Sequence, residues 1–458
     1  MTEKQTPQIL GSAPISRLLI QYSIPAIIAM TVTSLYNIID SIFIGHGVGA
    51  LAIAGLAVTF PLMNLVIAFC TLVGIGGATI SSILLGQRDT VRATETLHNV
   101  LWMCLINAVC FGGLTFLFLD EILLFFGASH DTLPYARDFM EVILLGTPVS
   151  YVFIGLNNVM RATGYPTKAM LSSIITVVAN VIIAPIFIFV LGWGIRGAAL
   201  ATLASQTFGL AWVLHHFADK NSFVHFDKNY MRFKLSIVLR MFSIGMSPFL
   251  MNACACLVVI IINRSFIHYG GDMAVGAFGV VNRVLTLFTM IVIGITQGMQ
   301  PIIGYNFGAR QLDRVRCTLV YGIASGMIVT SVGFISAQLF PAAIVGLFTT
   351  DATLTEMSIN GLRIACMMFT LVGGQIVISN FFQSIGKASV SIFLSLSRQL
   401  IFLIPLLLYL PRIYAINGVW ASLPISDAIA FIVAALMLWI YYRRVQKESR
   451  NKTRREII

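Results

Sequence analysis

Charge is what this sequence has least of. Asp, Glu, Lys and Arg make up 10% of its 458 residues, where a soluble domain carries about 25%. Water is therefore not its main solvent. Metal or redox cysteine spacings are missing too. Cys70, Cys104, Cys110, Cys254, Cys256, Cys317 and Cys366 contain no CxxC and fall in or beside apolar blocks. They read as small packing residues, and neither a disulfide framework nor a metal site is expected. No Walker lysine occurs, which argues against ATP drive, and no HExxH or paired intramembrane aspartates, which argues against a membrane-embedded enzyme. The opening residues MTEKQTPQIL lack the pattern of a cleaved signal. Nothing alternates over many short segments as a β-barrel would.

What is present is apolar sequence, 58% of the chain, in long blocks. Ile15 to Ile44 carries one acid and one base, and Leu51 to Leu85 carries no charge. A helix crosses a bilayer core with about 20 apolar residues. The blocks predict spans near 15–44, 51–85, 95–119, 138–160, 168–190, 197–217, 236–266, 275–306, 316–340, 355–383, 389–410 and 417–442. The fold class expected is an all-α polytopic membrane protein of twelve helices.

The net charge of +11 does not mark a nucleic-acid binder, because the bases cluster at alternate ends of the spans. Arg17, Arg88, Arg161, Lys168, Arg240, Arg310, Lys387 and the basic tail share one side, and Asp120, Glu121, Asp131, Asp351 and Glu356 the other. This bias places both termini in the cytoplasm and the tail, 443–458, near anionic lipid.

The chain also resembles itself at an offset near 222 residues. Gly49 aligns with Gly271, Gly76 with Gly298, Gly86 with Gly308, Arg88 with Arg310 and Gly164 with Gly386. Six helices per repeat is an even number, so the halves share orientation about a pseudo-twofold along the membrane normal. The domains expected are a bundle over 1–218, a charged linker over 219–240 and a second bundle over 241–442. Two bundles that rock against each other make a transporter by alternating access.

Three motifs carry a family resemblance: Leu35-Tyr-Asn-Ile-Ile-Asp40-Ser-Ile-Phe-Ile-Gly45, Met160-Arg-Ala-Thr-Gly164-Tyr-Pro166, and Gln300-Pro-Ile-Ile-Gly304-Tyr-Asn-Phe-Gly308-Ala309. In that order, with twelve spans and a repeat, the sequence resembles the multidrug and toxic compound extrusion family, most closely its bacterial branches related to the DNA-damage-inducible F protein and the staphylococcal multidrug pump. The resemblance implies a cation-coupled exporter of amphipathic, often cationic, compounds from the bacterial cytoplasmic membrane.

Ionisable groups at membrane depth are functional candidates by default. Two acids lie well inside the spans, Asp40 and Asp427. Asp40 sits ~9 Å below the outer end of its helix, with Thr33, Tyr36 and Asn37 on the same face. Asn180 and Thr202, on the fifth and sixth helices, come to similar depth by the same ~1.5 Å per residue. The resemblance also implies a cation site at these positions. A carboxylate in low dielectric is costly as an anion and takes up a proton reversibly. Asp40, with Asn37, Asn180 and Thr202, is therefore the expected coupling site, and Pro25 permits the first helix to bend. Sodium at Asp40, Asn180 and Thr202 is the alternative. Some family members carry a second acid one turn beyond the fifth-helix Asn, where this chain has Ala184; that departure favours protons.

In the second half Arg283, Arg398 and Asp427 count to mid-depth, ~15 Å in. They are expected to form a buried network or, with Tyr36, to contact substrate; Arg283 would otherwise snorkel. The partners expected are small amphipathic or cationic substrates and lipid, with no nucleic acid, no organic cofactor and a monomeric chain. A lipid-linked oligosaccharide flippase of the same superfamily is the runner-up.

Overall fold

The computed structural model describes residues 6–349 and 351–456; the side chains of 6–7, 35–38, 41–42, 50, 256, 272, 446 and 448–456 lie outside that description. Among the described residues all regular structure is helical. Ten helices are long and apolar enough to cross a membrane singly, and two bent pairs raise the total to twelve. We number them α1 (Ile15–Gly47), α2 (Ala50–Gly86), α3 (Thr90–Leu117), α4 (Leu133–Leu145 with Thr147–Ala162), α5 (Pro166–Val190) and α6 (Gly194–Ala218). The second repeat supplies α7 (Leu235–Gly271), α8 (Met273–Gly308), α9 (Leu312–Leu339), α10 (Ala352–Ala365 with Phe369–Ser384), α11 (Ala388–Tyr409) and α12 (Pro411–Val445).

The apolar blocks predict α4 and α10 as unbroken spans, but they bend by 58° and 54°. In α4 the cause is local. Pro148 has no amide for the Leu144 carbonyl, and the Thr147 hydroxyl donates to that carbonyl instead at 2.7 Å. In α10, at the repeat-equivalent place, a short run of three-residue turns at Met367, Phe369 and Leu371 breaks the helix without proline.

The repeat is visible in the backbone. Gly49 and Gly271, Arg88 and Arg310, and Gly164 and Gly386 all hold left-handed φ at equivalent turns. For the two arginines this is a conformation that side chains seldom adopt. Its recurrence 222 positions apart shows one turn geometry used twice.

Two compact units emerge, and their boundary cuts through α7 and α8 rather than through the linker. One unit holds Met1–Cys256, Gly294–Thr318 and Gln383–Ser389. In it, glycines on α7 and α8 bring helix backbones together. A Cβ at Gly245 would collide with the Leu72 carbonyl oxygen, and one at Gly298 would stand 2.6 Å from the Ser23 backbone. Away from this seam, an apolar cluster of Ile44, Leu62, Phe139, Ala184, Ile188 and Ala198 joins α1, α2, α4, α5 and α6. The linker is tied to α3: Lys234 pairs with buried Glu95 at 2.5 Å, and Asn99 bonds the backbone of Arg232 and Lys234.

The other unit holds Leu257–Ile293, Leu319–Phe382 and Val390–Ile458. Its core is aromatic. Phe266 stacks on Phe278 at 5.3 Å and lies 4.5 Å from Trp420.

Candidate functional site

Asp40 is the buried carboxylate of the first repeat, 8% exposed on α1. It sits one turn before Ile44, which belongs to the apolar cluster with Ala184 and Ile188 of α5. α1 packs along α5 and touches α6. Asn180 on α5 and Thr202 on α6 are also buried, and the Asn180 amide donates to the Thr202 hydroxyl at 3.5 Å. Thr202 in turn donates to the Ala198 carbonyl at 3.1 Å. Among the described residues, Oδ1 of Asp40 and Oδ1 of Asn180 have no hydrogen-bond partner. Buried oxygens without donors are expensive. An arrangement of two orphaned oxygens and a hydroxyl is suited to take up a proton or a small cation.

Tyr36 and Asn37 lie on α1, but their side chains fall outside the described residues. Thr33 departs from the expectation. It is exposed, and its hydroxyl donates to the Ala29 carbonyl of its own helix at 2.8 Å. Ala184 is fully buried in the apolar cluster, so that position contributes hydrocarbon to the site's surroundings. Pro25 is buried inside one continuous α1 and leaves the Gln21 carbonyl without its helical donor.

The three-member network expected in the second repeat forms only in part. The Arg398 guanidinium donates through Nε to Asp427 Oδ1 at 2.7 Å, joining α11 to α12. Arg398 stands on a wide turn over Ser397–Leu403, where the helix opens to five-residue bonding; such bulges re-aim side chains. Arg283 is exposed and makes no ion pair among the described residues. Its long aliphatic stem lets it lie along the surface of α8, which counting residues from the helix end does not reveal.

The profile of the MatE family matches residues 25–186 and 248–408, one stretch in each repeat. The chain belongs to the MatE family. MATE proteins are transporters, so this chain is a multi-pass membrane transporter and not an enzyme. It is 26% identical to the multidrug export protein MepA of Staphylococcus haemolyticus over 94% of this chain and 95% of that one. It is 36% identical to the MATE multidrug transporter DinF-BH, solved in complex with a drug, with a TM-score of 0.87 and coverage of 94% and 96%. An outward-facing MATE transporter, 23% identical, shares the fold at a TM-score of 0.91 over 97% and 99% of the two chains.

Sequence reasoning missed a buried polar chain in this MATE protein. Arg161 counts to a helix end, among the flanking bases, yet it is 8% exposed. It donates to Asn157 Oδ1 at 3.1 Å and to Oε1 of Gln297 on α8. Gln300 of α8 likewise donates to Thr79 of α2 at 2.8 Å. The signal that could have found them is the place of Arg161 and Gln300 in the second and third motifs.

Proposed function

We propose that this MATE transporter is a proton-coupled antiporter that exports amphipathic, often cationic, drugs and toxic compounds across the bacterial cytoplasmic membrane, with both termini in the cytoplasm. The observation that carries the reading is the buried Asp40 carboxylate with one oxygen unpartnered among the described residues, on a helix packed against the Asn180–Thr202 pair. In a low-dielectric site, a proton or a bound cation relieves the cost of the anion. Protonation removes the charge and turns an acceptor into a donor, so the two protonation states favour different arrangements of α1 against α5 and α6. Substrate and proton then stabilise different states, which is antiport. The export activity named for MepA and the drug bound to DinF-BH support small amphipathic substrates.

Ala184 favours protons over sodium, since sodium binds best to several oxygens and this position supplies none. Neutralisation of Arg398 by Asp427 weakens the flippase reading, which wants free bases. No organic cofactor enters the scheme; the proton is the coupling ion.

Everted vesicles with an acidified lumen test it. A cationic dye should release lumenal protons, and Asp40→Asn should abolish the response. An undiminished proton signal in that variant would sink the coupling role of Asp40. A signal that follows sodium with no proton movement would select the sodium alternative.

A further inference from the structure

We propose that Arg314 and Asn306 form a latch that holds shut the end of the transporter at which α1 begins. The inference rests on the alternating-access reading above.

Asn306 lies near the end of α8 and is fully buried. Its amide donates to the Leu10 carbonyl at 3.0 Å and to the Ile302 carbonyl at 2.8 Å. Arg314, in the first turns of α9, donates through Nε to Asn306 Oδ1 at 2.9 Å. Its Nη2 donates to the Leu10 carbonyl at 3.0 Å and the Ala13 carbonyl at 2.7 Å. Leu10 and Ala13 flank the end of the short helix Thr6–Ser12 that leads into α1. Carbonyls at a helix end lack helical donors, and a cation is favoured there. One guanidinium and one amide meet that need from the second repeat. The ring of Tyr305 packs over Gly11, 3.0 Å from where a Cβ would stand. Every one of these contacts to Leu10, Gly11 and Ala13 joins the start of the first repeat to the α8–α9 turn of the second.

The latch is not a requirement of the turn itself. The first repeat has the same turn, with Arg88 in the same left-handed conformation as Arg310. The equivalent of Arg314 there is Arg92, which is exposed and pairs only with Asp89 of its own turn at 3.5 Å. The equivalent of Asn306 is Leu84, which has no side-chain donor. The fold thus makes this turn without a clamp in one repeat and adds a clamp in the other.

When the repeats rock to open this end, α8 must leave α1, α2 and α4. The bonds of Asn306 and Arg314 to Leu10 and Ala13 must then break, together with Arg161–Gln297 and Thr79–Gln300. Arg161 keeps Asn157, a partner on its own helix, after release. Arg314 is only partly buried, so water replaces its lost carbonyls readily. That makes the latch reversible.

The test uses the full chain with its native cysteines replaced, in everted vesicles, with one reporter cysteine labelled by a membrane-impermeant maleimide. The reporter is Ser82→Cys, buried on α2 against Gly304 of α8. The control reporter is Ser172→Cys, buried between α4 and α5 of one repeat, where Asn157 bonds it at 2.6 Å. Arg314→Ala should speed labelling at position 82 at least threefold and leave position 172 unchanged. Arg92→Ala should change neither. Equal rates at position 82 with and without Arg314 overturn the latch, as does a rise at both reporters, which marks general loosening. Drug export is read in the same vesicles. Absence of export by the unmutated chain overturns the exporter reading and the latch with it, whereas export with unchanged labelling overturns the latch alone. Should Arg314→Ala not reach the membrane, Arg314→Lys, which keeps the charge but has a single nitrogen, is judged by the same criteria.

Discussion

Ser82 and Gly304 occupy the same place in the two repeats, 222 positions apart, and they touch: a Cβ on Gly304 would stand 2.7 Å from the Ser82 Cβ. Equivalent residues of a twofold pair meet only near its axis. The pseudo-twofold therefore passes between these two residues, where α2 crosses α8. One turn further on, the contact becomes reciprocal. A Cβ on Gly86 would collide with the Tyr305 carbonyl oxygen and one on Gly308 with the Ile83 carbonyl oxygen, and Ile83 and Tyr305 are themselves equivalents.

That geometry leaves no room for a methyl group. Gly308→Ala should separate α2 from α8 and cost about 1–3 kcal/mol of the closed arrangement. Drug tolerance conferred on a pump-deficient host should fall by roughly tenfold, since about 1.4 kcal/mol is a factor of ten. Gly346→Ala, which meets nothing within 4 Å, should leave tolerance unchanged. Equal tolerance for Gly308→Ala and the unmutated chain, at matched membrane levels, would refute the close-approach argument.

Thr202→Val keeps shape and removes the hydroxyl that accepts from Asn180. A single buried hydrogen bond contributes about 0.5–1.5 kcal/mol, so the proton concentration needed for half-maximal dye exchange should shift roughly threefold to tenfold. Thr202→Ser should behave like the parent. The measurement is the pH dependence of exchange in everted vesicles, and coincident curves for Val and Thr would remove Thr202 from the site.

Ala184→Asp adds a second carboxylate to the apolar surroundings of Asp40 and Asn180. Exchange in that variant should gain dependence on sodium, measured as dye efflux against a sodium gradient at constant pH. If the variant is stable and still responds to protons alone, Ala184 does not decide the coupling ion.

The Arg398–Asp427 pair should show strong coupling in a double-mutant cycle. Removing either partner leaves a buried or half-buried charge, at a cost of about 3–5 kcal/mol. Arg398→Met with Asp427→Leu should recover most of that loss. Melting in detergent checks it; additive single losses would show that the two side chains do not act as a pair.

Much of the architecture is legible because the membrane writes it into composition. A span needs a long apolar block, so twelve blocks stand out, and the repeat offset survives in glycines and arginines whose left-handed turns tolerate few substitutes. Counting depth along helices finds Asp40, Asn180 and Thr202, and the fold buries all three. Counting fails where the direction of a side chain matters. It places Arg283 in a network from which its exposure separates it, and it leaves Arg161 among surface bases although α8 covers it.

Sequence alone thus determined a twelve-helix, twofold-repeated MATE transporter with one acid deep in its first half, because hydrophobic length, charge side and repeat offset are local quantities summed along the chain. Only the tertiary structure decided which polar groups meet. The Arg398–Asp427 bond, the Arg161–Gln297 contact and the clamp of Arg314 on Leu10 and Ala13 depend on helix rotation and crossing. Those are set by close backbone approach at positions such as Gly86 and Gly308, between residues more than 200 apart in the chain.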